Sequence, residues 1–128
     1  MAKRLIDTSI LVDMFRGHPA AARCVSATMA AGEAYVHPLV AGEILAGSRN
    51  RREMTRFDGA LSAMPAVASE ASDWVDYLRL FRTHFLTHGI GWEDCLLAAT
   101  ALRLDFEVMT LNVKHFQAVP HLKVVRPY

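Results

Sequence analysis

Short apolar runs alternate with segments whose apolar residues recur every three or four positions, the signature of buried strands interleaved with amphipathic helices. Leu5 and Ile6 close the first run and lead into Asp7; Thr8-Ser9 then caps a predicted helix carrying Ile10, Leu11, Met14 and Phe15, which ends at Gly17-His18-Pro19. An alanine-rich helix is predicted over Ala20 to Ala31, stopping at Gly32, and Ala34-Tyr35-Val36 reads as a second strand. Pro38 suits the first turn of a helix through Leu39, Val40, Glu43, Ile44 and Leu45, which stops near Gly47. Met54, Phe57, Leu61 and Met64 mark a further helix from Arg51 to Met64, and Pro65-Ala66-Val67-Ala68 is expected to start a third strand.

From Ser72 onward, Trp74, Tyr77, Leu78, Phe81 and Phe85 form one stripe on a long helix, punctuated at its end by Gly89 and Gly91. Asp94 opens an apolar helix through Leu96, Leu97, Thr100, Ala101 and Leu104. The run Phe106 to Thr110 reads as a strand, Asn112 to Phe116 as one helical turn, and Lys123-Val124-Val125 as a last strand. This alternation predicts an α/β fold, a mainly parallel, short-stranded central sheet flanked by helices, in a single domain over residues 1–128.

Composition narrows the reading mostly by exclusion. With 128 residues, 52% of them hydrophobic and 21% charged, the chain can build a core and is no disordered tail. Its formal net charge of +1 gives no global basic field, so any nucleic-acid contact must use a local patch. The 2 cysteines, Cys24 and Cys95, are too few for a disulfide scaffold, and Asp7 interrupts what would be the apolar core of a signal peptide. No run approaches the roughly 18 apolar residues of a membrane span. A soluble, cytoplasmic protein without membrane attachment is expected.

In an open parallel sheet, ligands bind beyond the carboxyl ends of the strands, where Asp7 is expected. Taken alone, Asp7 reads first as a helix cap or turn residue. Glu43 lies over Leu39 and Val40 and leans toward the apolar face; a carboxylate there needs a partner, which is either a basic side chain or a metal ion. Asp94 falls at a helix start, where negative charge is favoured; its neighbour Glu93 points about 100° away, so one of the two is expected to face the site. Asn112 follows the strand end at Thr110-Leu111. Three carboxylates converging there repel, and either a proton or a cation must relieve them. Oxygen ligands of this kind suit Mg²⁺ or Mn²⁺ rather than zinc.

The order and spacing of Leu5-Ile6-Asp7-Thr8-Ser9, Gly42-Glu43-Ile44-Leu45-Ala46-Gly47, Asp94-Cys95-Leu96-Leu97-Ala98-Ala99-Thr100-Ala101 and Thr110-Leu111-Asn112-Val113-Lys114-His115-Phe116 resemble PIN-domain ribonucleases. The closest resemblance is to the VapC-type toxins of toxin–antitoxin pairs, and it covers the chain from Arg4 to Pro127. It implies a Mg²⁺- or Mn²⁺-dependent endoribonuclease with Asp7, Glu43 and Asp94 as metal ligands and catalytic groups, and Asn112 at a fourth polar position. Thr8 or Thr110 would then orient a carboxylate from behind. It also implies a homodimer, a tRNA or rRNA substrate whose cleavage slows translation, and a cognate VapB-type antitoxin. Asn112 and His115 stand where carboxylates often occur in that family, which removes negative charge and keeps a second reading open: a catalytically weakened PIN-fold module that binds RNA or protein.

Arg49, Arg51, Arg52 and Arg56 form the one dense basic cluster; they serve either RNA phosphates or an exposed helix face paired with Glu53 and Asp58. His84 and His88 have zinc-ligand spacing but lack the glutamate of a metalloprotease motif, and Cys95 has no positioned base. The stripe from Ser72 to Phe85 exceeds what a small sheet buries, consistent with a dimer face or an antitoxin groove.

Overall fold

The computed structural model describes residues 2–128. Strands β1 (Arg4–Ile6), β2 (Ala34–Tyr35), β3 (Glu107–Met109) and β4 (Val124–Val125) form one sheet in the order β2-β1-β3-β4, and every pairing is parallel. Around it lie α1 (Thr8–Phe15), α2 (Pro19–Ala30), α3 (Pro38–Ala46), α4 (Arg51–Ser62), α5 (Ala71–His88), α6 (Trp92–Leu104) and the short α7 (Val113–Phe116). The expected α/β architecture is therefore present, with a wholly parallel sheet.

β1 is central, and Leu5, Ile6, Val108 and Met109 are fully buried, as expected of parallel strands covered on both faces. The segment Pro65 to Ala68 is no strand: it makes one isolated parallel bridge, Val36 to Ala66, closed by Val36 N–H to Pro65 O and Val67 N–H to Val36 O. Helix α6 begins at Trp92 behind an N-cap at Gly91, two residues before the expected opening at Asp94.

Two devices fix the helices that carry polar residues. His37 accepts a hydrogen bond from Leu39 N–H at 3.0 Å on Nδ1 and so caps α3. At the far end of α6, Arg103 donates to the buried Asp73 at 2.7 and 3.0 Å and to Ala68 O at 2.6 Å, locking α6 to the start of α5. Burial holds His37 below the ordinary imidazole range, which keeps the lone pair on Nδ1 free to cap. The α5–α6 connection is short: Gly89 takes a left-handed φ of 70°, and Ile90, fully buried, anchors the link.

Candidate functional site

The sheet register builds the site. Ile6 pairs with Met109, so the residues just past the two strand ends, Asp7 and Thr110, emerge side by side. Thr110 Oγ1, fully buried, donates to Asp7 Oδ2 at 2.7 Å, and Ser9 Oγ donates to the same oxygen at 2.9 Å. Both hydroxyls are held in turn, because Thr110 Oγ1 accepts from Asn112 N–H at 2.9 Å and Ser9 Oγ from Leu111 N–H at 3.1 Å. Asp7 sits at the N-cap position of α1 yet makes no side-chain cap bond. Its carboxylate is oriented by the sheet edge instead, with Oδ2 committed to the two hydroxyls.

Glu43 arrives from α3, which packs beside α1, and its Oε1 accepts from Thr8 Oγ1 at 3.2 Å. Thr8 thus orients Glu43, and Thr110 orients Asp7. Burial, with Glu93 and Asp7 nearby, pushes the Glu43 carboxyl above the usual range, against the pull of the Thr8 hydroxyl. Asp94, in the first turn of α6, is pushed up to about 7 by burial and then by the charges of Asp7, Glu93 and Glu43. The helix N-terminus favours the anion there, but desolvation and three like charges outweigh it.

Asp7, Glu43 and Asp94 therefore share one electrostatic neighbourhood, and Glu93 belongs to it as well. Sequence reasoning assigned one of Glu93 and Asp94 to the site; in the structure the charge of Glu93 raises both Asp94 and Glu43, and its Oε2 would stand 3.0 Å from a Cβ at Gly91. Glycine before the helix leaves that space free, a signal the sequence contained. Asn112 is tied in through its backbone; its side chain is exposed and caps nothing. His115 Nδ1 stands 3.9 Å from Asp94 Oδ2 and is half exposed.

The donor set is carboxylate-rich and all oxygen, which fits a hard divalent cation. Among the described residues no three His, Cys, Asp or Glu side chains stand close enough to enclose an ion.

Beside the carboxylates, α1, α3 and α4 enclose a cleft of about 460 Å³. Glu43 borders it, as do Arg49 and Arg56; Arg51 and Arg52 do not, and Arg16, absent from the sequence-derived cluster, does. Arg49 is committed to Glu53 through contacts of 2.9 to 3.4 Å. His84 and His88 lie on α5 with ring centroids 5.6 Å apart and tilted 53° to one another, on a helix that contributes nothing to the carboxylate cluster.

The family model described as PIN domain matches residues 4–122. Ribonuclease VapC19 of Mycobacterium tuberculosis is 37% identical over 124 residues, covering 94% of this chain and 97% of that protein. Ribonuclease VapC10 of the same organism is 31% identical over 121 residues, covering 93% of this chain and 90% of that protein. Among solved structures, DNA-bound VapBC from Salmonella typhimurium superposes with a TM-score of 0.83 at 16% identity, covering 100% of both chains, a likeness of fold.

Proposed function

The chain belongs to the PIN-domain family and, within it, to the VapC ribonucleases, and on that premise we propose that it is a Mg²⁺- or Mn²⁺-dependent endoribonuclease, the toxin of a type II toxin–antitoxin pair that inhibits translation. The observation that carries this reading is the mutual charge of Asp7 at the carboxyl end of β1, Glu43 on α3 and Glu93 and Asp94 in the first turn of α6, which calls for a cation. Asp7 and Asp94 are the ligands, and Glu43 contributes directly or through water. When bound, the ion supplies Lewis-acid polarisation of a phosphate oxygen and a lowered pKa for water. Glu43, held by Thr8, accepts the proton of the attacking water. Thr110 and Ser9 keep Asp7 from rotating away, and His115 lies at the rim of the same site.

The substrate is RNA, tRNA or rRNA, acted on in the cytoplasm. No helix among the described residues is long and apolar enough to cross a membrane. The partner is a cognate VapB-type antitoxin, in line with the VapBC pairing of the Salmonella structure. The chain also forms a homodimer through α5: Trp74, Val75, Leu78, Phe85 and Leu86 on that helix, with Trp92 beside them, are 41–91% exposed.

Titration with Mn²⁺ tests the metal assignment. The melting temperature of the parent is expected to rise by several degrees, and that of Asp7→Asn or Asp94→Asn to rise much less. A parent that gains nothing from the ion would favour the catalytically weakened binding module.

A further inference from the structure

The cleft between α1, α3 and α4 has a charge pattern that the metal site does not need. Two of its cations, Arg16 at the end of α1 and Arg56 on α4, make no ion pair among the described residues, whereas Arg49 pairs with Glu53, a carboxylate of the same lining that also feels the charge of Arg56. Arg56 is already ordered: its Nη2 donates to Phe15 O at 3.3 Å, and its guanidinium carbon lies 5.2 Å from the Phe57 ring centroid and 6.0 Å from that of Phe15. A guanidinium has five N–H donors, so most of its capacity remains for a ligand, and its conformational entropy is largely spent beforehand. The floor is apolar, made by Val12, Ile44 and the tilted Phe15–Phe57 pair, whose centroids are 4.5 Å apart. Glu43 belongs to both spaces: it borders the cleft and it belongs to the carboxylate cluster.

We propose that this cleft is the subsite for one nucleotide adjoining the scissile bond, its phosphate on Arg16 and Arg56 and its base or ribose over the floor of Val12, Phe15, Ile44 and Phe57. The inference rests on the ribonuclease reading and adds to it where the RNA runs. A strand whose scissile phosphate sits at the carboxylates passes Glu43 and enters the cleft directly. A volume of about 460 Å³ lies within the range of small-ligand sites and suits a nucleotide. Two unpaired cations beside an apolar floor match a nucleotide's anionic and aromatic halves, and they disfavour an apolar peptide as occupant. Arg51 and Arg52, outside the cleft, take no part.

The test is fluorescence anisotropy with a short labelled single-stranded RNA of mixed sequence, in Ca²⁺ and over a salt series, with cleavage of total RNA in Mn²⁺ run alongside. Arg16→Ala and Arg56→Ala are each expected to weaken binding by roughly 5-fold and to lower the salt slope by about one, while Arg51→Ala leaves both unchanged. Arg56→Lys, which keeps the charge but not the planar fork, is expected to recover binding only in part. Melting curves and Mn²⁺ binding equal to the parent's show that each variant is folded with its carboxylates intact. Variants that bind RNA as the parent does, while the parent still cleaves, would overturn the subsite alone and leave the cleft to a protein segment. A parent that neither binds nor cleaves RNA would overturn both readings.

Discussion

Asp94 illustrates what the site demands of single residues. Its carboxyl, pushed up to about 7, holds a proton in the folded protein through a range where the unfolded chain, near the ordinary value of 3.8, has lost it. The folded state thus binds more protons between about pH 4 and 7, and stability must fall as pH rises across that window and level off above it. In EDTA, the parent is expected to lose on the order of 2–4 kcal/mol over this range relative to Asp94→Asn, whose curve lacks this contribution. Urea denaturation at pH 5.5 and 8 checks the difference, and parallel pH profiles for parent and variant would contradict it. His37, held low by burial, contributes stability that is lost as pH falls below the imidazole range in both proteins, so it cancels in the comparison.

The elements explain why these residues meet. Asp7 and Thr110 are 103 positions apart and become neighbours only through the β1–β3 register. Thr110→Val removes the 2.7 Å bond to Asp7 and leaves Asn112 N–H without its acceptor. A loss of about 1–3 kcal/mol in urea denaturation is expected, together with reduced Mn²⁺ affinity, from a change that replaces no proposed ligand. Strand and helix order was legible in the sequence because hydrophobic period and glycine or proline stops agree locally. Of the proposed site residues, Asp7 stood out by following a strand, Asp94 by falling near a helix start, and Glu43 by leaning toward the apolar side of its helix. Thr8 and Thr110 were legible only as alternatives, since choosing between them needs the strand order. Glu93 was set against Asp94 because helical geometry separates adjacent residues by about 100°, whereas in the fold its carboxylate lies beside Gly91 and its charge reaches both Asp94 and Glu43. The arginines were read as one cluster because they are close in sequence. Arg49 precedes the N-cap of α4 and Arg56 lies on the helix, and both border the cleft, whereas Arg51 and Arg52 in the first turn do not. The expected strand at Pro65 to Ala68 shrank to one bridge because only Val36 offers it a partner.

At the scale of the whole molecule, the apolar face of α5 and the carboxylate cluster meet at the first turn of α6, which carries Trp92 beside the former and Glu93 and Asp94 in the latter, so association is tested at α5 positions away from that turn. Val75 is 68% exposed on that face, and Trp74 and Trp92 each lie edge-on to Tyr77. A stable dimer buries about 1,200–2,000 Å² in total, an area that needs this aromatic strip at its centre. Sedimentation is expected to give a dimer for the parent and a monomer for Val75→Glu, with unchanged helical circular dichroism. A parent that sediments as monomer at tens of micromolar, about the regime of a weak dimer, would remove the α5 interface.

The central claim is that Asp7, Glu43 and Asp94, gathered by β1, α3 and α6, cut RNA with a divalent ion. Incubation of total cellular RNA with the parent, Asp7→Asn and Asp94→Asn, each verified as folded, in Mn²⁺ or in EDTA, tests it most directly. Discrete products are expected from the parent in Mn²⁺ alone. Equal cleavage by all three proteins, or cleavage that persists in EDTA, would contradict the account.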